Sequence, residues 1–249
     1  MSGGSDKVLE GRAINKSFGR KVVLKDINTT IVPGQICALV GPSGSGKSTL
    51  LRTLSLLDPP DSGSITVDNR TYVFPRRNGN GIEPPWPKVT IVFQQLFLWP
   101  HLTMRENITL PLTKLNGASP NGVVNEMIDL FDMGEFVDRY PNEGSLGQRQ
   151  RVAIARALAL HPRYLLLDEI TSALDVEHVS RMLAHLKTLR EQGTGIMLVT
   201  HLIGFAKRAA DQVLFMEHGA ITEAGGPEIL SSPKSSRLAS FLSLVDAAS

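Results

Sequence analysis

One stretch of the sequence reads Gly41-Pro42-Ser43-Gly44-Ser45-Gly46-Lys47-Ser48-Thr49, and it fits the phosphate-binding pattern G-x-x-x-x-G-K-[ST]. Backbone N–H groups of a glycine-rich loop, together with the start of a helix, form a nest for anions. The glycines let the backbone turn tightly and approach phosphates without a Cβ clash. Lys47 would supply charge to the β- and γ-phosphates of a nucleotide, and Ser48 a hydroxyl to Mg²⁺. We therefore predict a nucleotide site built from residues 41–49.

The sequence on either side of this loop has the pattern of a strand and a helix. Residues 36–40 are a short apolar run, typical of a buried parallel strand. After the loop, Leu50, Leu51, Leu54 and Leu57 recur at helical spacing. Strand, glycine loop and helix is the order that the pattern needs, which favours a nucleotide site over an incidental glycine-rich turn.

The composition predicts a packed globular protein that does not bind nucleic acid. The chain has 249 residues, of which 42% are hydrophobic and 20% charged, enough for one large domain or a core with an attached lobe. The formal net charge of +2 is too small to indicate a positive electrostatic field that would attract nucleic acid. Arg76-Arg77 is interpreted as a solvated loop tip. Cys37 is the single cysteine, so no intramolecular disulfide forms; a buried thiol in a reducing compartment is expected.

We expect neither a signal peptide nor a transmembrane segment. The N-terminus, MSGGSDK, lacks the apolar segment of a secretory signal. Residues 89–104 carry no charge, but the stretch is too polar and too short to span a bilayer. If the protein works at a membrane, other subunits must bring it there.

Short apolar runs alternate with helical patterns along the chain, which predicts a parallel sheet covered by helices. Residues from about 97 to 160 look helical, and the tail after Gly226 reads as surface helices. A closing hairpin is predicted at Gln212–Met216 and Ala220–Thr222. The candidate strands are Val22–Leu24, Ile27–Ile31, Ser64–Val67, Val89–Phe93, Tyr164–Leu167 and Ile196–Thr200.

A second group of candidate residues follows the apolar run at Tyr164–Leu167, which ends in Asp168-Glu169. Acidic residues at the carboxyl end of a buried strand lie where α/β sheets hold ligands. Asp168 can hold Mg²⁺, and Glu169 would reach a water that attacks the γ-phosphate. Alone this pattern is weak, but with the phosphate loop upstream it indicates a nucleotide-hydrolysing site.

With these two motifs in this order, the chain resembles the ATP-binding subunits of ABC transporters over nearly all its residues, from about 8 to 242. Phe18 matches the aromatic residue that stacks on adenine in that family. Gln94 matches the glutamine that senses Mg²⁺ and the attacking water, and His201 the histidine that contacts the γ-phosphate. Asp175, in Ser172-Ala173-Leu174-Asp175, matches the loop that communicates across the nucleotide-bound dimer.

The resemblance implies an α/β fold, a P-loop NTPase core with an N-terminal antiparallel β subdomain and an inserted helical subdomain. The whole chain, 1–249, would be one ATP-binding domain. Its nucleotide-binding core with the β subdomain would take in about 8–95 and 161–226, and the helical subdomain about 96–160. A helical tail would follow from about 227 to 249.

The resemblance also implies the reaction: two subunits sandwich two ATP molecules with Mg²⁺, and hydrolysis separates them and drives a membrane permease. Glu169, His201 and Gln94 would be catalytic, while Ser48, Gln94 and Asp168 would hold the metal. Each site would join the phosphate loop of one subunit to the signature segment of the other. From that segment, Ser145, Gly147 and Gln148 would contact the nucleotide, since a helix N-terminus favours the γ-phosphate.

The signature segment departs from the family pattern L-S-G-G-Q, because this chain reads Gly144-Ser145-Leu146-Gly147-Gln148. If position 146 needs a left-handed backbone, Leu146 costs roughly 1–2 kcal/mol, whereas an extended or helical backbone makes the cost small and steric. We hypothesise that this subunit closes on ATP less readily than a relative with the usual signature. Ile170 also stands where the family commonly has proline, with no functional interpretation.

Two features resemble the polar amino-acid uptake group of importers: Gly204-Phe205-Ala206 after His201, and the ending 237–242. The segment 97–103 looks like the patch that importers present to a permease. The predicted partners are a second ATP-binding subunit (a copy or a relative), permease subunits and, indirectly, a solute-binding protein. The protein would lie at the cytoplasmic face of the cell membrane. Two alternatives stay open: a non-transport ABC ATPase, and a regulatory subunit whose altered signature weakens its ATPase.

Overall fold

The computed structural model describes residues 7–75, 82–115, 120–170 and 176–248. The predictions for Arg76-Arg77 and for Ser172 to Asp175 lie outside these residues. Within them, ten strands form two sheets and seven α-helices cover them.

The larger sheet is the parallel sheet that the alternating pattern predicted. Its strands are β3 (Ile36–Val40), β6 (Val89–Val92), β7 (Tyr164–Asp168), β8 (Gly195–Val199), β9 (Gln212–Glu217) and β10 (Ala220–Gly225). They lie in the order β10-β9-β3-β8-β7-β6, and β10 pairs antiparallel with β9 in the predicted hairpin. The other pairs are parallel, so their carboxyl ends meet at one edge of the sheet.

The smaller sheet is antiparallel and lies in the N-terminal part of the chain. It contains β1 (Leu9–Phe18), β2 (Lys21–Ile31), β4 (Ser62–Val67) and β5 (Arg70–Phe74), in the order β2-β1-β4-β5. The sequence pattern did not predict β1, because register shifts after Gly11 and Ile14 and the positive φ of Ala13 (48°) break its alternation of buried and exposed residues.

The helices are α1 (Lys47–Leu54), α2 (Met104–Leu112), α3 (Pro120–Leu130), α4 (Leu146–Leu158), α5 (Val176–Glu191), α6 (Ile203–Ala209) and α7 (Ser236–Ala248). The prediction of helix throughout 97–160 was wrong for residues 131–145, which form turns and a short 3₁₀ helix (Pro141–Glu143), and for the stretch before α2. There the buried Asn107 side chain accepts from the Trp99 N–H (2.8 Å) and donates to the Trp99 and Leu102 carbonyls, which satisfies a loop backbone instead of a helical one. Thr103 and Glu106 then form a capping box that starts α2.

The core lies on both faces of the larger sheet. Alternate residues of β7 point to opposite faces: Leu165 and Leu167 pack with α2 to α5, whereas Tyr164 and Leu166 pack with α1 and the smaller sheet. All five residues of this strand are buried, which explains its continuous apolar run. Cys37 is buried as predicted, and burial raises the pKa of its thiol to about 12.

The C-terminal helix α7 lies on the surface but buries one face. Leu238 is fully buried and Leu242 nearly so, and both pack with Phe215 of β9 and with residues 227–230, a short 3₁₀ turn. Ile170, at the position with no functional interpretation, is buried in the core beside α4 and α5.

Candidate nucleotide-binding site

The phosphate-binding motif at residues 41–49 runs from the carboxyl end of β3 into the first turn of α1, as the pattern required. Two of its glycines are required by geometry. Gly41 has φ of 150°, and a Cβ there would lie 2.1 Å from the Met216 carbonyl oxygen. Gly46 has φ of 108°, and a Cβ there would lie 2.8 Å from the Val23 carbonyl oxygen. Any side chain at either position would push the loop off the hairpin and strand that support it.

The start of α1 is open to an anion. Its N-cap, Gly46, provides no side-chain hydrogen bond, and its first turn has no acidic residue. The N–H groups of that turn are therefore left to water or to a ligand, and the helix dipole favours a negative one.

Lys47 lies inside the loop rather than on its surface. Lys47 is only 8% exposed, and its Nζ donates to the carbonyls of Gly41 (2.9 Å) and Pro42 (2.9 Å). Burial lowers the pKa of Lys47, and the charges of Glu169 and Asp168 oppose that shift. An ammonium group held at this point can exchange its carbonyl partners for phosphate oxygens.

Asp168, the last residue of β7, has the properties of a cation ligand. It is 5% exposed, and its Oδ1 has no hydrogen-bond partner among the described residues. Burial raises the pKa of Asp168, whereas the hydrogen bond from Ser48 and the charge of Lys47 lower it. A buried carboxylate oxygen without a donor beside a serine hydroxyl fits Mg²⁺, which takes one or two protein oxygens and completes its shell with phosphate and water.

Glu169, Gln94 and His201 lie at the same edge of the sheet. Val92 pairs with Leu167 and Asp168 with Val199, so Gln94, Glu169 and His201 each follow a strand end by one or two residues. Glu169 has a positive φ of 50°, and its N–H donates to the Val199 carbonyl (3.0 Å).

Gln94 and His201 are both exposed. The parallel register thus brings both to the edge that carries the phosphate loop.

Phe18 ends β1 in the smaller sheet. Its side chain is exposed (52%), and the Lys16 Nζ lies 5.4 Å from the centroid of its ring. Phe18 pairs with Lys21 of β2, the strand whose Val23 carbonyl supports Gly46. An aromatic face open to solvent on this sheet is suited to stacking on a base.

The signature residues begin α4, which is not one of the elements that gather the phosphate loop and the carboxylates. Ser145 is the N-cap, and its hydroxyl accepts from the Gln148 N–H (3.2 Å) while the Gln148 Oε1 accepts from the Ser145 N–H (2.9 Å). A Cβ at Gly147 would meet nothing within 4 Å. Leu146 is 45% exposed in the first turn and is not among the residues with positive φ. Its backbone is therefore unstrained, and the smaller of the two costs considered above applies.

Two structural supports of the site were not predicted from the sequence. The first is the β9–β10 hairpin, whose residues Met216 and Gly219 contact the phosphate loop at Gly41 and Ser45. No pattern in a single sequence indicates these contacts. Arg156 in α4 is the second: it donates to the carbonyls of Leu96 (2.7 Å) and Phe97 (2.9 Å), and burial lowers the pKa of its guanidinium to about 10. An arginine between alanines in the apolar second half of α4 was the signal that could have found it.

The parallel sheet, the phosphate loop after its first strand and the carboxylates at its carboxyl edge define a P-loop ATPase. Comparison with known proteins narrows this class. A family model described as ABC transporter matches residues 24–172. The arginine transport ATP-binding protein ArtM of Bacillus subtilis is 46% identical over 233 residues, covering 92% of this chain and 96% of that protein. The glutamine transport ATP-binding protein GlnQ of Escherichia coli is 39% identical over 239 residues, covering 94% and 98%.

A solved structure agrees. The dimeric ATP-binding cassette MJ0796, bound to ADP and Pi after hydrolysis, superposes with a TM-score of 0.79 at 31% identity and covers 88% of this chain and 98% of its own. The chain belongs to the ABC transporter family, and it is an ATP-binding, ATP-hydrolysing subunit with the P-loop fold predicted from its motifs. Across the described ranges, no helix combines the length and apolarity needed to cross a membrane.

Proposed function

We propose that this chain hydrolyses ATP to drive a membrane permease that imports a polar amino acid. The observation that carries the proposal is the similarity, over more than nine-tenths of the chain, to ArtM and GlnQ, which serve arginine and glutamine transport. The protein would lie at the cytoplasmic face of the membrane, attached through its permease.

Within each site, backbone N–H groups of the phosphate loop and the Lys47 ammonium would bind the β- and γ-phosphates, and Phe18 would stack on adenine. Ser48, Asp168 and Gln94 would hold Mg²⁺, directly or through water. When bound, the metal neutralises the charge that develops on the phosphate oxygens. Its site would use few protein oxygens: no group of three His, Cys, Asp or Glu residues suited to a metal occurs in the described ranges.

Glu169 would orient the attacking water and accept its proton, and His201 would donate to the γ-phosphate. Both would act on a phosphate positioned by the loop rather than on a covalent intermediate, so most of the rate enhancement would come from positioning and charge. The exposure of Gln94 and His201 leaves them free to move onto the nucleotide when it binds.

A second subunit would complete the site. The capping box uses the Ser145 hydroxyl and the Gln148 amide oxygen at the start of α4, and the exposed first turn would present its N–H groups to the γ-phosphate across the dimer. Gly147 has open space around it, which would let a phosphate approach the backbone closely. Asp175 would communicate between the two sites.

The permease would dock in an apolar groove of about 370 Å³ between α2, α4 and the segment before β6. Trp99, Trp86 and Leu57 line it, and each is more than two-fifths exposed. The Arg156 guanidinium lies 5.3 Å from the Trp99 ring and donates to the loop that follows Gln94. Movement of the permease would therefore displace both the loop after Gln94 and α4, the helix that begins with the signature residues.

Trp99→Ser is expected to abolish capture of the permease by the tagged, full-length chain from detergent-solubilised membranes, because it removes one of the two exposed tryptophan rings (42% each) that line the groove. The matched control is Val73→Ser, an exposed apolar residue (63%) on β5 outside the groove. Captured membrane proteins are identified by mass spectrometry, and a co-purified solute-binding protein is screened with amino acids. Equal capture by both variants would contradict the docking surface, and absence of any membrane protein would favour a non-transport ATPase.

Leu146→Gly is expected to raise steady-state ATPase activity by up to about fivefold, because the steric cost of Leu146 is small, on the order of 1 kcal/mol. The physical reason is steric: the exposed Leu146 side chain occupies the turn that would face the nucleotide of the second subunit. Leu146→Ala should give an intermediate rate. Phosphate release measured with saturating ATP and Mg²⁺ decides, and equal rates in all three proteins would end the hypothesis of reduced closure.

A further inference from the structure

The tip of the β9–β10 hairpin forms the floor of the phosphate loop. The Gly219 N–H donates to the Ser45 carbonyl (3.0 Å), and the Gly219 carbonyl accepts from the Lys25 N–H (2.8 Å). The Met216 carbonyl approaches Gly41 so closely that a Cβ there would lie 2.1 Å from its oxygen. The position of this tip therefore determines where the backbone of the loop lies.

Glu217 lies on this tip, between the two residues that support the loop, and its carboxylate is held by Arg237 at the start of α7. The Arg237 Nε donates to Glu217 Oε2 (2.8 Å) and its Nη2 to Oε1, which makes a bidentate pair. The Glu217 side chain is only 10% exposed. The hydrogen bond from Arg237 holds the pKa of Glu217 below its usual value, so the pair is fully charged at neutral pH.

Arg237 is carried by a firmly packed helix. The next residue, Leu238, is fully buried, and Leu242 one turn later packs in the same cluster with Phe215. A guanidinium on a packed element can fix the group that it binds more closely than one on a loop. The contact therefore connects the C-terminal helix, through the hairpin tip, to the backbone of the phosphate loop.

We propose that Glu217 and Arg237 are positioning residues for the phosphate loop and that their ion pair tunes the affinity of the subunit for ATP. Neither residue touches the nucleotide; they act by holding the hairpin tip under Gly41 and Ser45. The inference rests on the proposed role of residues 41–49 as the ATP-binding loop. The proposal assigns a role in ATP binding to α7, although this helix lies far along the sequence from Asp168 and Glu169.

The test measures binding of ATP with Mg²⁺ by calorimetry and the KM and kcat of hydrolysis in the full chain. Glu217→Gln and Arg237→Gln should each weaken affinity and raise KM by about 3- to 10-fold, with kcat nearly unchanged. The double variant should be no worse than either single one, because both remove the same contact. Arg237→Lys keeps the charge without the bidentate geometry and should recover part of the loss.

The matched control is Glu223→Gln on β10. Its carboxylate accepts from the backbone N–H groups of Lys234 (2.9 Å) and Ser235 (3.0 Å), so it anchors the same end of α7 to the same hairpin, away from the tip. This variant should lower the melting temperature and leave KM unchanged. An equal rise of KM in Glu223→Gln would show general loosening and overturn the inference.

Lys47→Ala separates this inference from the proposed function. If Lys47→Ala abolishes ATP binding while Glu217→Gln and Arg237→Gln bind normally, the loop assignment stands and the positioning role is wrong. If Lys47→Ala binds ATP normally, the loop assignment fails and the positioning role fails with it.

Discussion

Glu169→Gln is expected to reduce steady-state ATP hydrolysis by about 10²- to 10⁴-fold and to trap an ATP-bound dimer. The amide has the shape of the carboxylate and keeps a hydrogen-bond acceptor for the water, but it cannot accept the proton. The positive φ of Glu169 (50°) is equally suited to both residues, so the backbone at the end of β7 should not change. Phosphate release measures the rate, and size-exclusion chromatography with light scattering, with ATP and Mg²⁺, measures the dimer.

The control for this variant is Glu191→Gln, the same change at an exposed residue near the end of α5. It should hydrolyse ATP at the wild-type rate and show no nucleotide-dependent dimer beyond that of the wild type. Hydrolysis within a few-fold of wild type in Glu169→Gln, or a variant that stays monomeric with ATP and Mg²⁺, would contradict the assignment of Glu169 as the base.

Lys47→Ala should weaken binding of ATP with Mg²⁺ by about 100-fold or more, because hydrogen bonds from a charged donor contribute about 1.5–3 kcal/mol each. Lys47 is only 8% exposed, and its ammonium contacts the loop directly, so it lies beside the phosphates that the loop would bind. In the variant, the Gly41 and Pro42 carbonyls would accept hydrogen bonds from water instead of from Lys47, so the fold should be unchanged.

Calorimetry on correctly folded protein measures this affinity, with circular dichroism as the check on folding. Lys187→Ala provides the matched control, since Lys187 is an exposed residue of α5 on a different element. An unchanged affinity for ATP in correctly folded Lys47→Ala would refute the assignment of the phosphate loop as the nucleotide site.

Most strands of the larger sheet could be predicted because parallel strands buried on both faces read as uninterrupted apolar runs. Residues 36–40 and 164–167 are such runs. β1 escaped prediction because its bulges spoil the alternation that marks a half-buried strand. The loop before α2 was mistaken for helix because its alternative hydrogen bonds come from one side chain, Asn107, that also belongs to the helix after it.

The chemical groups of the site could be predicted from short segments of the sequence. The spacing of the glycines, Lys47 and Ser48 predicts a phosphate cradle, and an apolar run ending in Asp168-Glu169 predicts a carboxylate at a strand end; both follow from properties of short peptide segments. The order β10-β9-β3-β8-β7-β6 could not be obtained in this way, because strand neighbours are chosen by packing between segments far apart in the chain.

That order is what brings Gln94, Glu169 and His201 to one edge, and it also places the hairpin of Met216 and Gly219 under the phosphate loop. Similarly, the unstrained backbone of Leu146 could be learned only once α4 was known to begin there. Local residues thus determine which groups can react, whereas long-range packing determines which of them meet, because a backbone hydrogen bond or a buried contact has no signature in the sequence of either partner alone.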